Sequence, residues 1–300
     1  MYFWHMKVAL FISRKNELSV DCCIEIINIL GADHDLSIDE DYKKYFSKNI
    51  LSQISFYNSS RKIDKSYDFL FSIGGDGTIL RSITFIKDSN IPILGINTGR
   101  LGFLTGLQKE SLKHGLELLK NNKFRIVKRS SISVSSENNN IDFGESPYAL
   151  NEITIHRKDT TSLLNISCKI DNMYHTDYWS DGLIISTPTG STGYSLSNGG
   201  PIVSPESGII ILNPISPHNI SMRPFLIQDT SSINITVKEE DYSLSLDSRI
   251  YSIDKKSVLL IKKSDFTINT IEFADDNFFK KLRDRLFWGQ DMRNTNTIKR

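Results

Sequence analysis

Cysteine is scarce in this 300-residue chain, which has only Cys22, Cys23 and Cys168. Three thiols, two of them adjacent, make neither a disulfide framework nor the paired spacing of a zinc knuckle. The adjacent pair reads as small buried residues. An excess of charge of one sign is also missing. Lys and Arg number 36 against 35 Asp and Glu, a net charge of +1, which removes the usual electrostatic argument for nucleic acid or an acidic membrane as partner. No uninterrupted apolar run approaches a membrane span. The apolar opening Met1 to Met6 meets Lys7 at once and lacks a small-residue cleavage pattern, so nothing in it directs export. A soluble, cytoplasmic protein is expected. Repeats and low-complexity tracts are absent, and so are the Walker A pattern, the Rossmann G-x-G-x-x-G and the G-x-S-x-G elbow. His156, His175 and His218 show no zinc-site spacing, and no metal ligand is assigned.

What is present is ordinary globular material, 39% hydrophobic, 24% charged and 10% aromatic, in a length that suits one large domain or two. The first part alternates strand-like and helix-like segments. Lys7 to Ile12, Tyr67 to Ile73 and Ile91 to Ile96 read as buried strands, and Val20 to Leu30 as a helix. Leu112, Leu116 and Leu119 recur at helical spacing. This pattern predicts a mostly parallel sheet covered on both faces. After Lys123 the period becomes two. Ile132/Val134, Ile233/Ile235/Val237, Leu244/Leu246 and Phe266/Ile268 alternate with polar residues, as half-buried antiparallel strands do. Phe278, Phe279, Leu282 and Leu286 mark a closing amphipathic helix. The expected organisation is an α/β domain over 1–123, a β-rich domain over 124–273, and a helix with a tail over 274–300 that returns to the first domain. Glu137 to Asn140 reads as a short polar turn.

Four local features carry chemistry. Gly74-Gly75-Asp76-Gly77-Thr78 stands between a strand and a helix starting near Ile79, where glycines admit a ligand and a helix N-terminus offers N–H groups to an anion. Asp76 would repel phosphate, but it suits a hydroxyl whose proton it accepts during attack on phosphorus. The plain alternative is a tight turn with Asp76 as its N-cap. Asp181 to Pro201 holds a strand, Leu183 to Ser186, and then a dense hydroxyl-and-glycine loop suited to a sugar or phosphate. Asn151-Glu152 precedes the alternating strand Ile153 to His156 and by itself says nothing. Gly99 to Thr105 follows the third strand at its carboxyl end, where ligands of open α/β sheets sit.

Together GGDGT, the Asn-Glu pair and DGLIISTPTGSTGYSLSNGGPI resemble the NAD kinase family. INTGRLGFLT and NPISPHNISMRP extend the resemblance over most of the chain. GGDG alone also occurs in diacylglycerol and sphingosine kinases and, more loosely, in phosphofructokinases; the long hydroxyl signature is the specific part. The resemblance implies an N-terminal α/β domain, a C-terminal β-rich domain and an active site between them. It implies phosphorylation of the 2′-hydroxyl of the adenosine ribose of NAD, giving NADP. The donor would be ATP or polyphosphate, with a divalent cation such as Mg2+ carried by the nucleotide phosphates. Homodimers or homotetramers are implied, with a second subunit able to complete the site.

By motif position the resemblance makes Asp76 the general base and lets Gly74, Gly75 and Gly77 admit the phosphates. Arg81, one turn into the helix, would face a phosphate, or else be a solvated helix residue. Asn151 and Glu152 would bind NAD around its ribose and phosphates, and Asp181 would serve its nicotinamide side. Thr189, Thr192, Gly193, Tyr194, Ser195, Leu196 and Ser197 would form the NAD-binding loop. Phe103 would stack on adenine or be a core residue. Three positions depart from the family pattern: Gly193 where alanine is common, Trp179 where some members have arginine, and Leu104 where some have tyrosine. A lipid or sphingoid kinase would need an apolar cleft, and a non-catalytic NAD(P) sensor would not need Asp76.

Overall fold

The computed structural model describes residues 5–13, 17–59, 63–99, 102–136, 141–159, 162–254 and 256–289. The start of the apolar opening, Arg100, Leu101 and the polar run Glu137 to Asn140 lie outside the described residues. The chain divides into two compact units, residues 1–127 with 269–300, and residues 128–268.

In the first unit, strands β1 (Lys7–Phe11), β2 (Asp35–Asp39), β3 (Ser55–Tyr57), β4 (Phe69–Gly74), β5 (Ile93–Asn97) and β6 (Leu107–Gln108) are interleaved with helices α1 (Glu17–Leu30), α2 (Lys48–Leu51), α3 (Asp76–Ile86) and α4 (Leu112–Lys120). The sheet runs β3-β2-β1-β4-β5 with every pair parallel. β4 and β5 are buried along their whole length, because helices cover both faces of such a sheet and leave no polar side. α1 buries Cys22, Cys23, Ile26, Ile27 and Leu30, the three-and-four spacing of one helical face.

The strand order reverses between β1 and β4. Ser13 follows the first of these and Gly74-Gly75-Asp76 the second, so the glycine-rich turn stands where open α/β sheets bind ligands. α1 begins at Glu17, three residues before the expected Val20, and α3 begins at Asp76 rather than near Ile79. β2 and β3 add two strands beyond those the pattern identifies. Leu36 and Ile38 of β2 enter the core, while the Asp39 carboxylate accepts N–H bonds from Asp41 and Ser59.

The second unit is antiparallel. It uses β7 (Arg125–Ser136), β8 (Tyr148–Ala149), β9 (Glu152–Arg157), β10 (Leu164–Ile170), β11 (Met173–Ser180), β12 (Gly182–Ser186), β13 (Ile209–Ile215), β14 (Phe225–Gln228), β15 (Ile233–Val237), β16 (Tyr242–Leu246), β17 (Arg249–Ile253) and β18 (Ser257–Glu272), where the first residues of β7 and the last of β18 belong to the first unit. One sheet runs β14-β13-β12-β9-β16-β17, and β11-β10-β15-β18 belong to another. β15 and β16 bury every second residue. Ile153, Ile155, Leu183 and Leu244 from one sheet share a core with Ile166, Ile235 and Leu259 from the other, the arrangement of a β-sandwich.

A last helix, α6 (Phe278–Leu286), belongs to the first unit and is capped by the Asn277 side chain, which accepts from the Lys280 N–H at 3.0 Å. Its apolar stripe is not its most buried side. Lys281 is the buried residue of α6, held 3.2 Å from Asp276, whereas Phe279 is 65% exposed. No described helix is long and apolar enough to cross a membrane.

Candidate active site

In the first unit the candidate residues gather around Asp76. Gly74 has φ of +152°, and a Cβ there would run into the Thr78 hydroxyl, so only glycine lets β4 turn into α3. Gly75 is the N-cap of α3 and supplies no side chain. Asp76 is therefore a first-turn residue rather than the cap. Its carboxylate leaves its own helix and reaches the loop after β5. Oδ2 accepts the Phe103 N–H at 2.5 Å, and Oδ1 accepts those of Leu104 at 3.0 Å and Thr105 at 3.1 Å. Gly102 makes room for this contact, because a Cβ at that position would overlap the carboxylate.

Arg81 is not left to solvent. Its Nη1 donates to Ser13 Oγ at 3.1 Å, and Ser13 Oγ donates to Thr78 Oγ1 at 3.1 Å. This chain draws the guanidinium to the carboxyl end of β1, beside the glycine-rich turn. Phe103 is half-buried, and the Arg285 guanidinium of α6 lies over its ring, 5.1 Å from the centroid. One face of the ring is thereby covered by a cation.

In the second unit Asn151 and Glu152 sit at the start of β9. Their main chain is held by Asp247, in the turn joining β16 to β17, whose φ is 51°. Its carboxylate accepts the N–H groups of Leu150 at 2.9 Å, Asn151 at 2.8 Å and Glu152 at 3.2 Å. The side chains end differently. Asn151 Oδ1 and Glu152 Oε2 are buried and have no hydrogen-bond partner among the described residues. A Cβ on Gly193 would stand 3.1 Å from Glu152 Oε2 and 3.3 Å from Asn151 Nδ2, so this glycine borders both groups. Burial, and then the Asp247 charge, push the Glu152 carboxyl up to about 8 against a Tyr194 N–H bond that acts downward. Asp247 is also raised by burial, opposed by its three N–H donors and Arg249. Because only Asp247 has that set of donors for its anion, Glu152 is the member of the pair that keeps the proton.

The hydroxyl-rich segment is a 3-10 turn, Thr189–Thr192, followed by α5 (Tyr194–Ser197), not an open loop. Many of its polar groups turn inward. Thr189 Oγ1 accepts from buried Arg129, and Thr192 Oγ1 donates to the Thr189 carbonyl. Ser195 is fully buried, with its Oγ accepting from Asn213. Leu196 is half-buried, and Tyr194 and Ser197 are exposed. Asp181 is not gathered with this group. β12 pairs antiparallel with β9 so that Ser186 faces Glu152 and Gly182 faces His156. Asp181 lies one residue beyond this pairing, level with Arg157, on the order of 17 Å along the strands from Glu152. There it forms a half-buried ion pair with Arg157 at 2.9 Å.

Asp247, Gly102, Arg157 and Arg285 were not identified from the sequence. Only Gly102 lay within a motif, and Asp247 acts on residues nearly a hundred positions away.

Two family models match the chain: the ATP-NAD kinase N-terminal domain over residues 14–124 and the ATP-NAD kinase C-terminal domain over residues 150–273. An NAD kinase of Flavobacterium psychrophilum is 46% identical over 250 residues, covering 83% of this chain and 85% of the relative. An NAD kinase of Christiangramia forsetii is 42% identical over 296 residues, 97% of each. Among solved structures, yeast NADH kinase complexed with NADH aligns with a TM-score of 0.85 at 23% identity, covering 97% of this chain and 90% of that one. An NAD kinase from Archaeoglobus fulgidus in complex with ATP aligns at 0.71 and 25%, covering 93% and 99%. Matched in both of its units and along nearly its whole length by such relatives, the chain belongs to the NAD kinase family.

Proposed function

We propose that this protein transfers the terminal phosphoryl group of ATP to the 2′-hydroxyl of the adenosine ribose of NAD, giving NADP and ADP. The observation that carries the mechanism is the hold on Asp76. A carboxylate has about four acceptor sites, and three are taken by main-chain N–H groups, two on Oδ1 and one on Oδ2. The site left over is on Oδ2. The ribose hydroxyl donates there, and its proton passes to Oδ2 as the ribose oxygen bonds to phosphorus. The bond from phosphorus to the bridging oxygen breaks and ADP leaves with that electron pair. Asp76 contributes orientation more than basicity, since it cannot rotate without losing its donors.

Asn151 and Glu152 bind the NAD ribose through their unmatched buried oxygens, with Glu152 as a hydrogen-bond donor in its protonated form. Arg81 and the N–H groups at the start of α3 attract phosphate. Among the described residues no three His, Cys, Asp or Glu side chains gather to hold a metal ion. The reading places the divalent cation on the donor phosphates, as part of the substrate. Assembly into a homodimer or homotetramer in the cytoplasm belongs to the same reading, supported by exposed Met173, Trp179 and Ile250 on the second unit and readable by light scattering.

The test is NADP formation by purified protein with NAD, ATP and magnesium, detected with an NADP-specific dehydrogenase. Signal requiring all three components is expected. NAD binding without turnover, with ATP or polyphosphate as donor, would overturn the reading in favour of a sensor.

A further inference from the structure

Arg285 is a half-buried residue whose charged head has no hydrogen-bond partner among the described residues. All three guanidinium nitrogens are shielded from solvent. Arginine stays ionised even there, and leaving its donors unmatched away from water is costly. The acids around it do not supply the missing partner. Asp276 is bridged by Lys281 at 3.2 Å, and Asp284 by Lys280 at 2.8 Å. Asp76 already accepts three main-chain N–H bonds. What the guanidinium touches is the Phe103 ring, and the Phe103 N–H is the group bonded to Asp76 Oδ2. Burial pushes Arg285 below the usual arginine range, while the charges of Asp76, Asp276 and Asp284 act upward. The acids are felt, but none is bonded.

We propose that Arg285 binds the terminal phosphate of the phosphoryl donor, as a planar fork held against Phe103 beside Asp76. The assignment rests on the kinase reading above and deepens it by naming a donor-binding residue on α6. It resolves the difficulty that Asp76 raises by itself, since a carboxylate at the reacting centre repels the phosphate that must approach it. A guanidinium whose donors are unmatched by protein offsets that repulsion, and it matches two phosphate oxygens at once when the side chain turns to meet the donor. It also gives Phe103 a different task from stacking on adenine: its ring supports the fork and its N–H orients the base.

Wild type, Arg285→Met and Arg285→Lys are compared in NADP formation and by calorimetric titration with inorganic tripolyphosphate and with NAD. Methionine keeps the packing over Phe103, and lysine keeps the charge but not the fork. Arg285→Met is expected to lose about ten- to a hundredfold in tripolyphosphate affinity, with a comparable rise in KM for ATP or fall in kcat. Its NAD affinity stays unchanged. Arg285→Lys recovers part of the loss, and free guanidinium restores turnover to Arg285→Ala. Unchanged tripolyphosphate binding and ATP kinetics in Arg285→Met overturn the proposal. So does a loss confined to NAD, which would place the arginine on the acceptor's pyrophosphate. Should Arg285→Met unfold, Arg285→Lys carries the same comparison. Wild type that binds tripolyphosphate through Arg285 yet forms no NADP would remove the kinase reading and leave this assignment standing.

Discussion

Three main-chain N–H groups on one carboxylate leave it little freedom to turn, and Asp76 is held in that way by Phe103, Leu104 and Thr105. Asp76→Asn keeps the shape but turns one acceptor into a donor, which must face solvent or a main-chain N–H. Turnover should fall by roughly two to four orders of magnitude, the usual loss for a general base, while KM for NAD changes little. Near-normal kcat in a folded variant would remove the base role. Gly102→Ala tests the same geometry from the other side. Its Cβ would overlap the Asp76 carboxylate, so one of the two must move. Since small misplacements at a reacting centre are costly, kcat is expected to drop by on the order of a hundredfold, with a lower melting temperature as the displaced carboxylate gives up N–H bonds. An active Gly102→Ala enzyme would mean that the carboxylate tolerates displacement.

At the scale of elements, the turn between β16 and β17 pins the start of β9 through Asp247. Asp247→Asn replaces one of its acceptor oxygens with an NH2 that faces the Leu150 N–H on one side or those of Asn151 and Glu152 on the other. It should cost about 1–3 kcal/mol in urea unfolding and raise KM for NAD, because Asn151 and Glu152 lose their anchor. Wild-type values in both measurements would refute the anchoring role. No local pattern foretold this contact, because a pairing of distant strands creates it. By contrast β4 and β5 were legible, since a strand covered on both faces must be apolar throughout. The Asp76 turn was legible too, because glycine is required at φ of +152°. The hydroxyl segment was legible as a dense cluster of hydroxyls but not as a structure. Its Thr and Ser residues resemble ligand donors, yet Thr189, Thr192 and Ser195 bond to the protein itself. Spacing tells where hydroxyls are dense, not which way they face. α6 shows the same limit, because Asp276 draws Lys281 inward ahead of the apolar stripe.

For the whole molecule, stability should depend on pH from two sides. Burial lowers His34 and His175 below the ordinary imidazole value, so the unfolded chain binds their protons more readily than the folded one. Their contribution is present above about pH 6.5 and is lost as pH falls. Glu152 acts in the opposite sense. Its carboxyl is raised from 4.5 to about 8, so between those values the folded chain keeps a proton that the unfolded chain has released. Stability therefore falls as pH rises through this window, and above it an ionised Glu152 is buried beside Asp247. Glu152→Gln removes that titration while keeping a neutral hydrogen-bonding side chain of similar size. Measured by urea unfolding from pH 5 to 9, the variant should gain on wild type steadily up to about pH 8 and then level off. The total gain should be on the order of 3–5 kcal/mol, as each tenfold change in proton affinity on folding corresponds to about 1.4 kcal/mol. A difference that stays flat across this range would show that Glu152 titrates as an ordinary solvated glutamate, and the protonated donor assigned to the NAD ribose would fall with it.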